Sequence, residues 1–454
     1  MKVVMIGSGY VGLTTGVALS YIGHEVSIID IDVKKIDKLK NRIPPFHEQG
    51  LEQLLQETSS SMSFYDHWEG INLDVDIIIL AVGTPSKSNN EADLSYVEDA
   101  ARQIGNKLTR NMNPLIVNKS TVPIGAADKV KQIIMQTCTA KGFVSHIQVA
   151  SNPEFLREGE ALYDSFYPDR IIVGVDSDFA RNQLYSLYQP ILERTFKPLS
   201  VLPKARNATL PPFISTSPNS AELIKYAANS FLAMKISFIN EFANLAEQVG
   251  ADITEVARGI GLDERIGTRF LNAGIGWGGS CFGKDTRAII QTGKQYGSEM
   301  SIVQTVVQTN DKQRELVVKK LQNYLKVLRG KTIGILGLAF KPNTDDIRDA
   351  PSIDIIQRLI DLGVYVQVYD PLAMEQCKLS HPSLDIHYTE TAEEVFNQAH
   401  AIILVTEWEE FRTLSYQHLV QRMRNNLVID GRNFLNGEII TEYGYTYSGI
   451  GKGS

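Results

Sequence analysis

The sequence has few cysteines and no apolar run long enough to cross a bilayer. Its three cysteines, at positions 138, 281 and 377, form an odd and sparse set, unlike a disulfide framework or a structural zinc site. A membrane helix needs about 20 consecutive apolar residues, and the sequence has no such run. The N-terminus passes from one lysine straight into glycines, unlike a signal peptide. We therefore expect a cytoplasmic protein with no membrane partner and no metal site.

The chain also lacks an excess of positive charge. It has 45 Lys and Arg against 52 Asp and Glu, a formal net charge of −7. This balance does not favour nucleic-acid binding, so we expect no nucleic-acid partner. Hydrophobic residues make up 43% and charged residues 21%, which is typical of a globular protein. A length of 454 residues exceeds one ordinary core and predicts two or three domains.

The hydrophobic pattern changes twice along the chain. Over the first 200 residues, short β-branched segments alternate with amphipathic ones, which predicts a parallel, doubly wound α/β sheet. The Pro-, Ser- and Thr-rich segment 203–219 predicts a connecting loop, and the spacing over 219–259 predicts helix. Strand–helix alternation returns after about 330, and the tail from 441 is expected to fray. The layout predicts two nucleotide sites on either side of a helical spacer.

A glycine-rich turn near the N-terminus predicts a cofactor site. Gly7, Gly9 and Gly12 follow a strand and open a helix, where they permit a tight turn and close approach of a pyrophosphate. Asp30 ends the next strand, where a carboxylate binds ribose hydroxyls and favours NAD over NADP. The alternative is a glycine turn in some other α/β protein. Two further strands end near Thr84 and Thr121, which either line the cofactor groove or are ordinary turn residues.

The segment 274–285, GIGWGGSCFGKD, holds a candidate nucleophile. Its five glycines allow the backbone to lie close to a ligand. Lys284 would favour the thiolate of Cys281. The alternative is an inert core cysteine, which is our interpretation of Cys138 and Cys377.

Two other clusters are less specific. Lys225 and Asn229 stand four residues apart and would share one face of a helix, although a solvated lysine is an equal alternative. Glu154 and Glu158 stand where a strand gives way to a helix, and such acids most often complement a helix dipole.

Several motifs together carry a family resemblance. GSGYVG, VGTPS, KSTVP, SNPEFLREG, AELIKYAAN, ERIG, GGSCFGKD, LGLAFKPNTDDIRDAPS and VIDGRN occur in the order found in the UDP-glucose/GDP-mannose dehydrogenase family. The chain resembles this family over nearly its whole length. The resemblance implies two Rossmann-like doubly wound domains joined by a helical dimerisation core, and a homodimer or larger assembly. The implied domains are an NAD-binding domain (1–202), a dimerisation domain with the cysteine loop (203–315) and a UDP-sugar domain (316–454).

The resemblance also implies roles for individual residues. Cys281 matches the nucleophile, and the other implied catalytic residues are Lys225, Asn229, Asp285, Thr121 and Glu154. The implied NAD contacts are Gly7, Gly9, Tyr10, Val11, Gly12, Asp30, Lys35, Thr84, Thr121, Glu158, Lys284 and Arg348. The implied substrate contacts are Glu154, Phe155, Leu156, Lys225, Asn229, Arg265, Phe270, Gly278, Lys341 and Arg432. In this family the segment around Arg265 tends to reach into a neighbouring subunit's site.

The implied reaction is the oxidation of a sugar C6 alcohol to a carboxylate by two NAD, through a thiohemiacetal and a thioester on Cys281. Ser280 and Phe282 beside the cysteine resemble the UDP-glucose branch, so we expect UDP-glucose to become UDP-glucuronate for polysaccharide precursor synthesis. The alternatives are GDP-mannose or a UDP-N-acetylhexosamine as substrate, a dehydrogenase that removes only two electrons, and an NAD-binding sensor.

The sequence departs from the family pattern at three places. Gly283 stands where the family often has another residue, so we expect a looser loop. The segment 205–218 is longer than usual, and FHEQGL at 46–51 replaces Tyr-Glu-Pro-Gly-Leu.

Overall fold

The computed structural model describes residues 1–452, which fall into two compact units, Met1–Ala228 and 229–452. Each unit is built on one sheet with helices packed against it, so the α/β class with two Rossmann-like sheets is confirmed. The division into three domains at 202/203 and 315/316 stays a prediction. Within the described residues no helix is both long enough and apolar enough to cross a membrane.

The first unit contains an eight-stranded sheet in the order β3-β2-β1-β4-β5-β6-β7-β8. Its strands are β1 (Lys2–Ile6), β2 (Glu25–Ile29), β3 (Met62–Tyr65), β4 (Ile77–Leu80), β5 (Leu115–Asn118), β6 (Val149–Ser151), β7 (Ile171–Gly174) and β8 (Phe213–Thr216). Its helices are α1 (Tyr10–Tyr21), α2 (Val33–Lys40), α3 (Leu51–Glu57), α4 (Ser95–Lys107), α5 (Ala126–Ala140), α6 (Ala161–Phe166) and α7 (Asp178–Leu192). Helix α8 (Pro218–Val249) contains the boundary between the units.

The sheet of the first unit departs from the predicted parallel arrangement at one edge. Strands β1 to β6 are parallel, but β6 pairs with β7 in antiparallel fashion, and β8 runs parallel to β7. Strand β8 lies inside the segment 203–219, so the loop prediction is wrong there. Its side chains are half-buried or exposed because it is an edge strand, and it therefore lacks the continuous apolar run of a buried strand such as β4.

The second unit contains a six-stranded parallel sheet in the order β11-β10-β9-β12-β13-β14. Its strands are β9 (Thr332–Leu336), β10 (Tyr365–Tyr369), β11 (Ile386–Tyr388), β12 (Ala401–Leu404), β13 (Leu427–Asp430) and β14 (Thr446–Ser448). Its helices after α8 are α9 (Ile253–Gly261), α10 (Phe282–Gln295), α11 (Ser301–Leu325), α12 (Pro351–Asp361), α13 (Met374–Ser380), α14 (Glu409–Arg412), α15 (Tyr416–Leu419) and α16 (Gly437–Glu442).

The predicted helical segment 219–259 is two helices. Gly250 adopts a φ of +73°, a left-handed conformation that ends α8 after Val249. Asp252 then caps α9, because its side chain accepts a hydrogen bond from the backbone N–H of Thr254 at 2.7 Å.

The described part of the tail is ordered, so the prediction of fraying is wrong up to residue 452. Strand β14 pairs with β13, and Tyr445 and Ile450 are buried. The backbone N–H of Gly451 donates to Oε1 of Glu247 at 2.7 Å. Backbone pairing and two buried apolar side chains outweigh the local flexibility of Gly and Ser. Residues 453 and 454 of the predicted tail lie outside the described part.

Candidate active site

The glycine turn after β1 has the geometry of a dinucleotide site. Gly7 has a φ of +104°, and a Cβ there would lie 2.6 Å from the carbonyl oxygen of Ala81. A Cβ at Gly12 would lie 2.0 Å from the carbonyl oxygen of Gly7, so helix and strand pack too closely for a side chain. Nothing lies within 4 Å of a Cβ at Gly9, which precedes α1. The residues fit a pyrophosphate at the N-terminus of α1.

Asp30 lies beside this turn. Its Oδ2 accepts hydrogen bonds from the backbone N–H and the Oγ of Ser8, both at 2.7 Å, and its Oδ1 accepts from the backbone N–H of Asp32 at 3.0 Å. The residue is half-buried, and a carboxylate has about four acceptor positions, so it retains capacity for ribose hydroxyls. Its negative charge would repel a 2′-phosphate.

The other predicted cofactor residues of the first unit lie near the ends of its strands. The ring of Tyr10 stacks on Phe46 with 3.9 Å between centroids, and Phe46 belongs to the departing segment 46–51. Oγ1 of Thr84 donates to the carbonyl oxygen of Thr121 at 2.8 Å, so the loops after β4 and β5 are joined. Val11 and Glu158 are half-buried, and Lys35 pairs with Asp32 at 3.7 Å.

Glu154 and Lys225 form a buried ion pair. Nζ of Lys225 lies 3.1 Å from Oε1 of Glu154, and the two residues are 3% and 7% exposed respectively. Burial opposes ionisation of Glu154, but the Lys225 ammonium and the hydrogen bond from the N–H of Leu156 hold its pKa below the ordinary value. The ring of Phe155 lies 5.3 Å from the ammonium. The alternative of a solvated Lys225 is therefore wrong.

Two buried acids of the first unit were not among the predicted site residues. Glu48 accepts hydrogen bonds from the backbone N–H groups of Gly159 and Leu162, so it holds the loop that follows Glu154. Glu222 accepts hydrogen bonds from the backbone N–H groups of Gly125 and Ala127 and from Oγ of Ser151. Glu48 lies in the segment FHEQGL, which the sequence showed only as a departure from the family pattern. Glu222 stands between Ala221 and Leu223, and a glutamate between apolar residues is a local signal of burial, whereas Glu48 stands between His47 and Gln49 and has no such signal.

Cys281 occupies the position just before α10. It is half-buried, and its Sγ lies 3.5 Å from Oγ of Ser280. The N-terminus of α10 carries a partial positive charge, which stabilises a thiolate at this position. The N-terminus of α10 is thus a cause of thiolate reactivity besides the predicted effect of Lys284.

Asp285 is held by two donors. Nζ of Lys284 donates to Oδ1 and Nδ2 of Asn229 donates to Oδ2, both at 2.6 Å. Asp285 has no exposed surface. The ammonium of Lys284 is therefore bound to a carboxylate, and its effect on the Cys281 thiolate stays a prediction. Asn229 and Asp285 are both among the catalytic residues that the family resemblance implies, and the structure brings them into direct contact.

Side chains of α8 and α11 bind the backbone of the glycine loop that leads to Cys281. Asn240 and Gln313 bind the N–H and carbonyl of Gly274, both at 2.8 Å, and Asn310 and Arg314 bind the backbone of Trp277 at 2.8 to 3.0 Å. These four side chains were not predicted as site residues, because each one binds backbone atoms that are distant along the chain. Hydrogen bonds from these side chains to the backbone therefore hold the glycine loop, which has few side chains of its own that could pack.

Three of the motif segments meet within the second unit. Nη1 of Arg432 donates to the carbonyl of Gly276 at 3.1 Å, and Nη2 donates to the carbonyl of Phe340 at 3.2 Å. Lys341, the next residue, lies with its ammonium 5.8 Å from the Phe340 ring. A Cβ at Gly278 would lie 2.3 Å from the carbonyl oxygen of Asp349. The predicted substrate residues Gly278, Lys341 and Arg432 therefore belong to one cluster.

Three further predicted residues, Phe270, Arg348 and Arg265, differ in what their side chains contact. The ring of Phe270 lies 6.4 Å from that of Phe282, which follows Cys281. Arg348 is bound by Asp346, with 2.8 Å between Nη2 and Oδ2. The side chain of Arg265 is 88% exposed and paired with Asp263, so the structure of one chain does not place it in the buried cluster.

The expectation of a looser loop at Gly283 is wrong. Gly283 is buried in the first turn of α10, and a Cβ there would lie 2.4 Å from Oδ2 of Asp349. The missing side chain permits close contact between α10 and the segment before α12.

The glycine turn, the helix behind it and the acid after β2 define a dinucleotide-binding protein of the Rossmann class. Three models of the UDP-glucose/GDP-mannose dehydrogenase family match the chain. The NAD binding domain matches residues 1–192, the central domain 219–312 and the UDP binding domain 334–437. The chain belongs to this family.

Relatives named UDP-glucose 6-dehydrogenase match over the full length. The chain is 42% identical to UDP-glucose 6-dehydrogenase YwqF of Bacillus subtilis, covering 100% of this chain and 98% of that protein. It is 41% identical to the UDP-glucose 6-dehydrogenase of Rhizobium meliloti, covering 100% of both. A solved UDP-glucose dehydrogenase from Pyrobaculum islandicum is 36% identical with a TM-score of 0.88, covering 100% of this chain and 98% of that one.

Proposed function

We propose that this chain oxidises UDP-glucose to UDP-glucuronate with two NAD, through a covalent intermediate on Cys281. One observation carries the proposal: Cys281 stands at the N-terminus of α10, at the end of a glycine loop whose backbone is bound by Asn240, Gln313, Asn310 and Arg314. An NAD-binding protein without acyl chemistry has no need of a nucleophile held in this way. The full-length relatives named UDP-glucose 6-dehydrogenase support the choice of substrate.

NAD is the cofactor, and Gly7, Gly9, Gly12 and Asp30 are proposed to hold it. When bound, NAD supplies the electron acceptor for both oxidations. The protein must then handle the proton of the C6 hydroxyl, for which Lys225, Asp285 or a bound water is proposed as the relay. Asp285 is already hydrogen-bonded to Asn229 and Lys284, so its carboxylate is oriented before substrate arrives.

Cys281 captures the product of the first oxidation. Its sulfur adds to the aldehyde carbon, and a C–S bond forms while the carbonyl electron pair moves to oxygen. We propose that Lys225 and Asn229 stabilise this oxyanion. The second oxidation converts the thiohemiacetal into a thioester, which is a better route than direct oxidation of an aldehyde.

Hydrolysis completes the reaction. Water adds to the thioester carbon, the C–S bond breaks, and the products are a carboxylate and the Cys281 thiolate. We propose Glu154 and Thr121 as the residues that hold and activate this water. The lowered pKa of Glu154, caused by Lys225 and the N–H of Leu156 against the effect of burial, keeps its carboxylate ionised and able to accept a proton.

We further propose a homodimer or larger assembly. Five large apolar side chains of α8 are exposed at helical spacing: Phe231, Phe238, Phe242, Leu245 and Val249, with exposures of 44% to 66%. An apolar stripe of this kind needs a partner surface. Sedimentation of Phe242→Glu, with Leu379→Glu on α13 as the control, tests the stripe. An unchanged oligomer in both variants would contradict this assignment. A cytoplasmic location and a role in polysaccharide precursor synthesis also stay predictions.

The proposal is tested by the yield of NADH per UDP-glucose for wild type, Cys281→Ser and the control Cys138→Ala. We expect a ratio of about two for wild type and the control, and loss of complete turnover in Cys281→Ser. A ratio of about one, or a fully active Cys281→Ser, would sink the covalent mechanism. Turnover of GDP-mannose or a UDP-N-acetylhexosamine in place of UDP-glucose would keep the mechanism and change the substrate.

A further inference from the structure

A buried carboxylate near the start of α8 joins three separate segments of the first unit. Glu222 is 3% exposed. Its Oε2 accepts a hydrogen bond from the backbone N–H of Gly125 at 2.7 Å. Its Oε1 accepts one from the backbone N–H of Ala127 at 3.1 Å and one from Oγ of Ser151 at 2.8 Å. Each donor comes from a part of the chain distant in sequence from Glu222.

Two of these bonds cap a helix from outside. Gly125 is the residue before α5, and it has no side chain that could cap the helix. The first N–H groups of a helix lack partners within it and carry partial positive charge. Glu222 supplies both the acceptor and the negative charge. The third bond, from Ser151, connects the same carboxylate to the end of β6.

Two of the three joined segments carry a residue proposed for thioester hydrolysis, and the third carries the lysine that is paired with one of them. Thr121 lies in the loop that leads to Gly125, and Glu154 lies just after Ser151. Lys225 follows Glu222 by about one turn of α8 and forms the ion pair with Glu154. We infer that Glu222 is a positioning residue, which holds these three segments in the arrangement that hydrolysis of the acyl-enzyme requires. This inference rests on the proposed function.

The chemistry of the site favours a carboxylate over a neutral residue of the same shape. A glutamine has one acceptor oxygen, and its NH₂ group would face an N–H or O–H donor. Burial raises the pKa of Glu222, and the bonds from Ser151, Gly125 and Ala127 oppose this rise. Burying a carboxylate costs free energy, and here donors bind both of its oxygens. The carboxylate therefore has a role in holding these segments, which an apolar side chain of the same volume could not fill.

The test compares wild type with Glu222→Gln in rapid-quench turnover followed by mass analysis of the Cys281 adduct. We expect kcat to fall by about tenfold to a hundredfold, because small displacements of catalytic groups have effects of this size. Hydrolysis should become the slow step, so the acyl-enzyme should accumulate after a burst of about two NADH per site. The kcat/KM for UDP-glucose and the Kd for NAD should stay within about twofold of wild type, since the oxidations precede the affected step, and the KM for UDP-glucose should therefore fall together with kcat.

Two further variants keep the test decisive. Ser151→Ala removes one donor and should give a smaller fall in kcat with the same acyl-enzyme accumulation, even if Glu222→Gln does not fold. Asp178→Asn removes an exposed carboxylate from the first turn of α7, a helix that makes none of these bonds, and it should behave like wild type.

Hydrolysis at the wild-type rate in Glu222→Gln would overturn the inference. Losses in kcat/KM for UDP-glucose and in NAD affinity without accumulation of the acyl-enzyme would also overturn it, because they would show a general structural role. A wild-type enzyme that yields only about one NADH per UDP-glucose would instead defeat the proposed function itself, independently of any Glu222 variant.

Discussion

Asn229 and Asp285 are joined by a hydrogen bond of 2.6 Å from Nδ2 to Oδ2, although they stand far apart in the sequence. Lys284 binds the other carboxylate oxygen at 2.6 Å. The carboxylate has no exposed surface, so these donors stand in for the water that it has lost. The pair links the long helix α8 to the first turn of α10, immediately after the proposed nucleophile.

Loss of the Asn229 amide should destabilise the protein and impair turnover. In Asn229→Leu, the buried Asp285 carboxylate loses one of two donors, and we expect a cost of about 1–3 kcal/mol in the free energy of unfolding. Urea unfolding measures this cost. The control is the double variant with Asp285→Leu, which should be less destabilised than the sum of the single variants. Additive effects would contradict the coupling.

Asp30 should control affinity for NAD without affecting UDP-glucose. Asp30→Ala removes the acceptor for ribose hydroxyls, and we expect the KM for NAD to rise by about tenfold or more. The preference for NAD over NADP should weaken because the repulsive charge is lost. Steady-state kinetics with both cofactors measure this. Asp32→Asn, a nearby carboxylate that caps α2, serves as the control. An unchanged cofactor preference in Asp30→Ala would refute the role.

The ion pair of Glu154 with Lys225 should make stability depend on acid pH. Burial opposes ionisation, but Lys225 lowers the pKa of Glu154 in the folded state below its unfolded value. The stabilisation is therefore complete above the unfolded pKa, about 4.3, and is lost as pH falls through the folded pKa. The difference in unfolding free energy between wild type and Glu154→Gln should shrink as pH falls from about 7 to below 4.

Urea unfolding over this pH range tests the Glu154 prediction. Glu52→Gln, at an exposed position of α3, is the matched control and should show little pH-dependent difference. A constant difference between wild type and Glu154→Gln at all pH values would show that the pair does not lower the folded pKa.

Alanine variants at Gly279 and Gly297 distinguish the cost of steric crowding from the cost of backbone strain. Both have positive φ, +87° and +76°. A Cβ at Gly279 would lie 2.7 Å from the Phe340 ring, whereas nothing lies within 4 Å of one at Gly297. Gly297→Ala should cost about 1 kcal/mol from strain alone, and Gly279→Ala should cost more and reduce kcat. Thermal unfolding and turnover measure both. Equal losses would mean that Phe340 moves aside.

The sequence was sufficient for local features with strong periodicity or special chemistry. The buried strands, the glycine turn at Gly7 and the acid at Asp30 follow from patterns that span only a few residues. Edge strand β8 and the ordered tail were missed. Their stability comes from backbone pairing with distant strands, which leaves little trace in local composition.

The contrast between Asp30 and Asp370 shows what sequence patterns could not decide. Each acid follows the second strand of a Rossmann-like unit, and Gly7 and Gly337 make matching turns with φ of +104° and +100°. The repeated layout predicted two nucleotide sites and did not tell the two acids apart. Asp370, however, has no exposed surface. Its oxygens accept bonds from the backbone N–H groups of 338, 339, 372 and 373 and from Nε1 of Trp408. It is a structural acid, whereas Asp30 is half-buried.

The sequence by itself thus determined the fold class, the family and the residue types available for catalysis, because these depend on periodicity and on motifs read in order. Tertiary structure decided which charges pair. In the folded chain Lys284 pairs with Asp285, Lys225 pairs with Glu154, and Glu222 accepts hydrogen bonds from three donors. A buried charge is stable only when it has partners close in space. Those partners come from segments that are far apart along the chain, so a local sequence pattern cannot show that they are in contact.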